Sequence, residues 1–326
     1  MSTAVLMCGH GSRDDDAIVE FQAMVDRLRA RLAGTRVGSA FLEFARPTIR
    51  EGLDALAAEG VTRVLAVPGM LFAAGHVKND LPWELNSFAA ENPAIAIDYG
   101  RDLAIDPKLL EAARDRLAAA ERGAARKIER ADTLLLVVGR GTNDPDANSN
   151  IAKVARLLWE GMGYGWAEAA FSGVAHPRTD AALARALRLG FKRIIVFPYF
   201  LFTGVLVKRI YAAADALAAV HADVEIVKAE YLNDHPRVLD AIAERAAACL
   251  TGDNLMNCRL CKYRTQVIGY EDAVGTPQAG HHLHVRGIGT DGDHHHHHHH
   301  DGHGHGHAHD HDHHHGHEDH HHAHKR

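Results

Sequence analysis

Two imidazoles and a carboxylate, His10, His76 and Glu43, are the residues of this 326-residue chain best suited to shared chemistry. Together they would make a nitrogen and oxygen metal site with open coordination positions, suited to Co2+, Fe2+, Ni2+ or Zn2+. A structural zinc site would be closed by four ligands, so three point to a metal in transit or at work. An internal repeat at an offset of 130 residues singles them out. Gly9-His10-Gly11-Ser12 returns as Gly139-Arg140-Gly141-Thr142, Ala45-Arg46-Pro47 as Ala175-His176-Pro177, and residues 60–78 as residues 190–208. What both copies keep belongs to a common backbone, whereas what one copy alone keeps asks for a chemical explanation. His10 faces Arg140, Glu43 faces Gly173 and His76 faces Leu206.

Taken singly, each residue also has a plainer reading: His10 and His76 as loop histidines without a task, Glu43 as a solvated acid. A phosphohistidine at His10, as in the Arg-His-Gly phosphatases, would need an arginine where Gly9 stands. The glycines around His10 let a flat ligand approach the backbone, and the N–H groups of Gly11 and Ser12 would face an anion at a helix start. Arg13, Lys78, Arg140 and Lys208 are the basic groups placed to meet such an anion, and are otherwise surface charges.

The elements that must position these residues alternate. Short apolar runs near residues 4–7, 37–42, 63–67 and 94–98 predict strands buried on both faces. Between them, residues 48–58, 80–90 and 107–120 predict helices, and Ile18, Phe21, Val25, Leu28 and Leu32 trace one helical face before the second strand. Acids at 14–16 suit a helix N-terminus, and Pro107 suits a first helical turn. The second half repeats the order, with strands near 133–138, 167–173, 193–197 and 223–227 and a last helix starting at Pro236. This predicts an α/β fold of two tandem, duplicated lobes, each a four-stranded parallel sheet flanked by helices. Ligands on such sheets gather at the carboxyl ends of strands. His10 and Glu43 just past strand ends, and His76 in the loop after the third strand, are expected on one rim. The boundaries fall at 1–125 and 126–250 for the lobes, 251–280 for a linker and 281–326 for a tail.

Composition removes several classes. A formal charge of −6 argues against a nucleic-acid partner. The longest near-apolar run spans residues 194–207, short of the ~20 residues a membrane span needs. The N-terminus has no signal-peptide pattern. Four cysteines are no disulfide framework, which favours a reducing, cytoplasmic setting. Of 28 histidines, 23 lie in residues 281–326, where almost nothing apolar could offset the entropy of ordering. That tail reads as a disordered multidentate binder of further metal ions. Before it, Cys258-x-x-Cys261 could hold one face of a metal or cluster. Cys249 could add a thiol, or two chains could share the group as a homodimer; zinc or a plain redox pair are the alternatives.

The quoted segments resemble a known family. Gly9-His10-Gly11-Ser12-Arg13, the duplicated α/β half and Gly75-His76-Val77-Lys78 are similar to the class II tetrapyrrole chelatases, over roughly residues 1–250. More narrowly, the resemblance is to the long, two-lobed sirohydrochlorin cobaltochelatases, which share a Met-x-Cys-x-x-Cys element, here Met256, Cys258 and Cys261, and a histidine-rich end. The resemblance implies a lyase that inserts Co2+ into sirohydrochlorin for cobalamin synthesis without ATP. It carries the metal ligands onto His10 and His76, the acidic partner onto Glu43, and an iron–sulfur cluster onto the cysteine pair. Ferrochelation for sirohaem, or non-enzymatic cobalt or nickel storage, are the competing expectations.

Overall fold

Period-two burial defines the strands. In β1 (Thr3–Gly9), Ala4, Leu6 and Cys8 point to one core and Val5 and Met7 to another, all at 1% exposure or less. The computed structural model describes residues 2–252, 256 and 268–275. Its first half continues with α1 (Asp15–Arg31), β2 (Arg36–Phe41), α2 (Ile49–Ala58), β3 (Arg63–Pro68), α3 (Leu81–Glu91), β4 (Ala96–Tyr99) and α4 (Pro107–Gly123). The second half repeats it as β5 (Thr133–Gly139), α5 (Pro145–Met162), β6 (Trp166–Phe171), α6 (Thr179–Leu187), β7 (Arg193–Pro198), α7 (Val205–Val220), β8 (Glu225–Lys228) and α8 (Pro236–Thr251). All pairings are parallel, in the orders β2-β1-β3-β4 and β6-β5-β7-β8. The expected pair of four-stranded parallel sheets, with helices packed on their faces, is what the chain forms.

Local chemistry sets the helix starts. Asp14 and Asp144 are matching N-caps of α1 and α5, each accepting backbone N–H bonds from the first turn. Thr48 and Glu51 close a reciprocal capping box at α2.

Two features depart from the sequence expectation. First, His76 is not in a loop. Residues His76–Asp80 form a π-helical turn running straight into α3, with the Leu81 N–H donating to the His76 carbonyl. Pro82 supplies a reason: it has no N–H for the Lys78 carbonyl, and its ring would crowd that carbonyl in a regular α-turn. The second half has Ala212 at this place, and α7 runs there as an ordinary α-helix.

Second, the last helices are exchanged. α4, from the first half, packs on α5, β7 and β8, whereas α8, from the second half, packs on α1, β3 and β4. One hydrophobic core therefore contains Val5, Met7 and Phe21 together with Val137, Ile151 and Phe197. Arg245 of α8 secures the crossing, donating to the Asp102 and Leu103 carbonyls at 3.0 and 2.7 Å and to the Asp106 carboxylate at 2.9 Å. The two sequence halves, residues 2–252, accordingly form one compact unit.

Among the described residues no helix is long and apolar enough to cross a membrane. Cys258, Cys261 and the tail from residue 281 lie outside the described residues. Cys249, the thiol that could have joined them, is buried beside Gly100, donates to the Arg245 carbonyl at 3.3 Å, and is pushed up to about 11 by burial. Burial likewise pushes Cys8 up to about 12. Both side chains are packed in the core among the described residues.

Candidate metal centre

The backbone ladder carries two of the three donors past the strand ends. Beyond β1 and β2, Leu42 N–H donates to the Gly9 carbonyl at 3.0 Å and Glu43 N–H to the His10 carbonyl at 3.1 Å. His10 and Glu43 are thus neighbours by strand register. The third donor, His76, arrives from the far side of β3 on its π-helical turn. The site lies at the carboxyl ends of β1 and β3, where the strand order reverses, the usual crevice of such sheets.

Gly11 shows why the flanking glycines are kept in both halves. Its φ is +93°, and a Cβ there would lie 1.6 Å from the Glu43 carbonyl oxygen; Gly141, at φ +82°, would meet the Gly173 carbonyl at 1.9 Å. The close approach is structural and shared, so chemistry must rest on what the halves do not share.

The unshared residues converge. One ligand atom from each of His10, Glu43 and His76 lies within 4.8 Å of the others, and this is the metal-competent cluster found among the described residues. Two donors on one ion at ~2.1 Å are at most about 4.2 Å apart, so a small side-chain rotation closes the set. The imidazoles meet edge to face with centroids 4.7 Å apart, and His10 Nε2 is 3.3 Å from Glu43 Oε1.

Hydrogen bonding assigns the tautomers. His10 Nδ1 is 2.9 Å from the Gly11 carbonyl, which can only accept, so Nδ1 carries the proton and Nε2 bears the lone pair that can ligate. His76 Nδ1 is 2.6 Å from the Asp80 carboxylate, which can only accept when ionised, so Nδ1 carries the proton and Nε2 the lone pair. Burial above all, then His76 and Arg140, pull His10 down to about 3. It is neutral and ready to ligate at physiological pH.

His10 and His76 line a cleft of about 430 Å³ walled by both lobes, and Glu43 stands behind His10 outside the lining. Phe44, Phe72, Phe200 and Phe202 give it flat apolar walls, with Phe72 stacked on Tyr199 at 5.9 Å. Phe44 has φ +62°, stacks on His10 at 6.4 Å and carries the Arg13 guanidinium 4.8 Å above its ring. Neither the aromatic walls nor Phe44 follow from motif reading, because apolar loop residues look like core until the lobes are assembled.

The predicted anion-binding residues divide. Gly11, Ser12, Arg13 and Arg140 line the cleft. The Arg140 guanidinium lies 3.4 Å from His10 Nε2, at the matching corner of the second lobe. Lys78 and Lys208 do not line it. Lys78 Nζ is buried between Asp144 and Asp146 at 2.8 and 3.1 Å, and Lys208 Nζ binds Asp14 and Asp16 at 2.8 and 2.9 Å. Both lysines are clamps between lobes, their charges already met by carboxylates. For Lys78 desolvation works against the charged form, but the Asp144 bond and both aspartate charges outweigh it and raise its pKa.

The CbiX family pattern matches residues 4–120 and again 134–249. The chain belongs to the CbiX family. It is 37% identical over 270 residues to a sirohydrochlorin cobaltochelatase of Priestia megaterium, covering 82% of this chain and 87% of that one. It is 28% identical over 249 residues to a sirohydrochlorin ferrochelatase of the same organism, covering 76% and 91%. Among solved structures it is similar to the sirohydrochlorin chelatase SirB of Bacillus subtilis subspecies spizizenii in complex with cobalt, at TM-score 0.65 and 27% identity, covering 77% of this chain and 97% of that one. SirB from Bacillus subtilis with Fe3+ superposes at TM-score 0.68 and 28% identity, covering 79% and 100%. A two-lobed CbiX chain is a metal chelatase by family, and its duplicated pattern coincides with the two sheets.

Proposed function

We propose that this chain inserts Co2+ into sirohydrochlorin, without ATP, on the path to cobalamin. The observation that carries the reading is the His10, Glu43 and His76 triad among the described residues, with both imidazoles lining an aromatic cleft between two lobes. The 37% identity to a cobaltochelatase, against 28% to a ferrochelatase, supports cobalt over iron.

In this reading the aromatic walls hold the planar macrocycle. His10 and His76 hold the metal through Nε2, and Glu43 either completes the ligand set or takes a proton. Two pyrrolic N–H bonds break, four metal–nitrogen bonds form and the ion gives up its protein and water ligands, so the ring must meet a bound metal and a proton acceptor on the same face. The histidine-rich tail serves as a local metal reserve.

The test is direct. Protein, sirohydrochlorin and Co2+ at fixed, buffered free concentration should change the pigment spectrum much faster than metal alone, and Co2+ should outpace Fe2+ under anaerobic conditions. No acceleration with any metal would reduce the chain to a storage protein. Faster turnover with Fe2+ would make it a ferrochelatase, the reading that shares the same donors.

Arg140 takes a separate role here. A guanidinium 3.4 Å from a metal ligand repels the incoming ion unless an anion draws it away. The carboxylate arms of sirohydrochlorin supply that anion. Arg140→Ala should raise KM for sirohydrochlorin about tenfold, as expected for one lost charge-assisted hydrogen bond, with kcat at saturation little changed. A fall in kcat with KM unchanged would place Arg140 in the chemical step instead.

A further inference from the structure

Asp80 is a buried acid in a place where the fold wants a hydrocarbon. Its residue exposure is 0%, and its counterpart 130 residues later is Ile210, a core side chain of the second lobe at 1% exposure. Burying a carboxylate costs several kcal/mol unless hydrogen bonds offset it. The contacts at Asp80 show where the offset comes from. Oδ2 lies 2.6 Å from His76 Nδ1, and Oδ1 accepts from Asn79 Nδ2 at 3.2 Å. The imidazole and the acid are lost together in the second half, as Leu206 and Ile210, and so is the π-helical turn that carries both. A pair that costs stability, and that disappears wherever the metal donors disappear, has a task tied to the metal.

We propose that Asp80 is a positioning residue for His76, accepting its Nδ1 proton so that the tautomer is fixed and Nε2 is aimed at the metal. The inference rests on the chelatase reading only in naming the metal as substrate. The chemistry is general: a ligating histidine is oriented, and made a stronger donor, by a carboxylate on its other nitrogen. The two imidazoles then differ in kind. His76 is backed by an anion, whereas His10 is backed by the neutral Gly11 carbonyl. His76 is the firmer of the two ligands, and His10 the one that lets go first when the macrocycle takes the ion.

The experiment uses the full chain with free Co2+ held by a metal buffer, so that the histidine-rich tail does not alter the supply. Asp80→Asn keeps the shape, and Asp80→Ile copies the residue the second lobe already folds with. Both should raise KM for Co2+ by about 10- to 100-fold while leaving KM for sirohydrochlorin within about twofold. In the metal-free wild type, proton NMR should show a slowly exchanging, strongly downfield imidazole N–H, lost in Asp80→Asn and in His76→Gln and kept in His10→Ala. Unchanged KM for Co2+ in folded variants, or equal rises in both KM values, would overturn the role. Absence of the downfield proton from wild type would overturn it even if neither variant folds. That resonance does not depend on turnover, so failure of the chelatase assay with the proton present would count against the function and not against Asp80.

Discussion

His10→Ala and His76→Ala should each lower kcat/KM for cobalt insertion by about 10²- to 10⁴-fold, the range expected when a group acting directly on the reacting atoms is removed. The loss should exceed that of any other single side chain in the cleft. His10 Nε2 is a metal donor atom that lies 3.3 Å from Glu43 Oε1 and 3.4 Å from the Arg140 guanidinium, so its removal takes away the group that stands beside both charges. Alanine at position 76 leaves Asp80 buried without its imidazole. Circular dichroism should show both variants folded, with the His76→Ala protein the less stable of the two because its buried Asp80 carboxylate has lost a partner. Steady-state rates under buffered Co2+ provide the measurement. An activity loss under threefold for either variant would remove the triad from the mechanism.

Lys78→Met should cost about 3–5 kcal/mol of stability, while the equivalent Lys208→Met should cost far less. The two lysines make the same contacts in the two lobes, but their surroundings differ. Lys78, Asp144 and Asp146 have side chains exposed by only 4–5%, whereas Lys208 is 53% exposed. Removing Lys78 strands two carboxylates in the interior, and one of them, Asp144, is also the α5 cap. Water and salt already screen Lys208. Urea denaturation at neutral pH distinguishes them through the midpoints. Equal shifts would mean that the buried clamp is no stronger than the exposed one.

Much of the architecture was legible before any coordinates. Strand placement followed from apolar runs, and the repeat alone nominated His10, Glu43 and His76, which the structure brings within 4.8 Å. The comparison of halves misled where it was not applied consistently. Lys78 and Lys208 are present in both copies, as are Asp14 and Asp144, and that shared pattern is the mark of a structural contact. By residue type alone the two lysines could equally meet an anion or be surface charges. Conversely, Asp80 against Ile210 and Pro82 against Ala212 are differences of the same kind as His76 against Leu206. They passed unread because an acid in a helix looks solvated until its burial is known. The exchange of α4 and α8 had no signal in periodicity, since an amphipathic helix shows that it covers a sheet and not which sheet.

Because α4 and α8 cross over, neither half of the gene specifies a complete folding unit. Each sheet is roofed by a segment translated with the other, and only residues 124–132 join α4 to β5. A cut in that connection would release two fragments with bare apolar faces, each fitting the other better than itself. Such a molecule is assembled as a mutual graft. Drift in one lobe is constrained by the helix it lends, while its rim is left comparatively free to change.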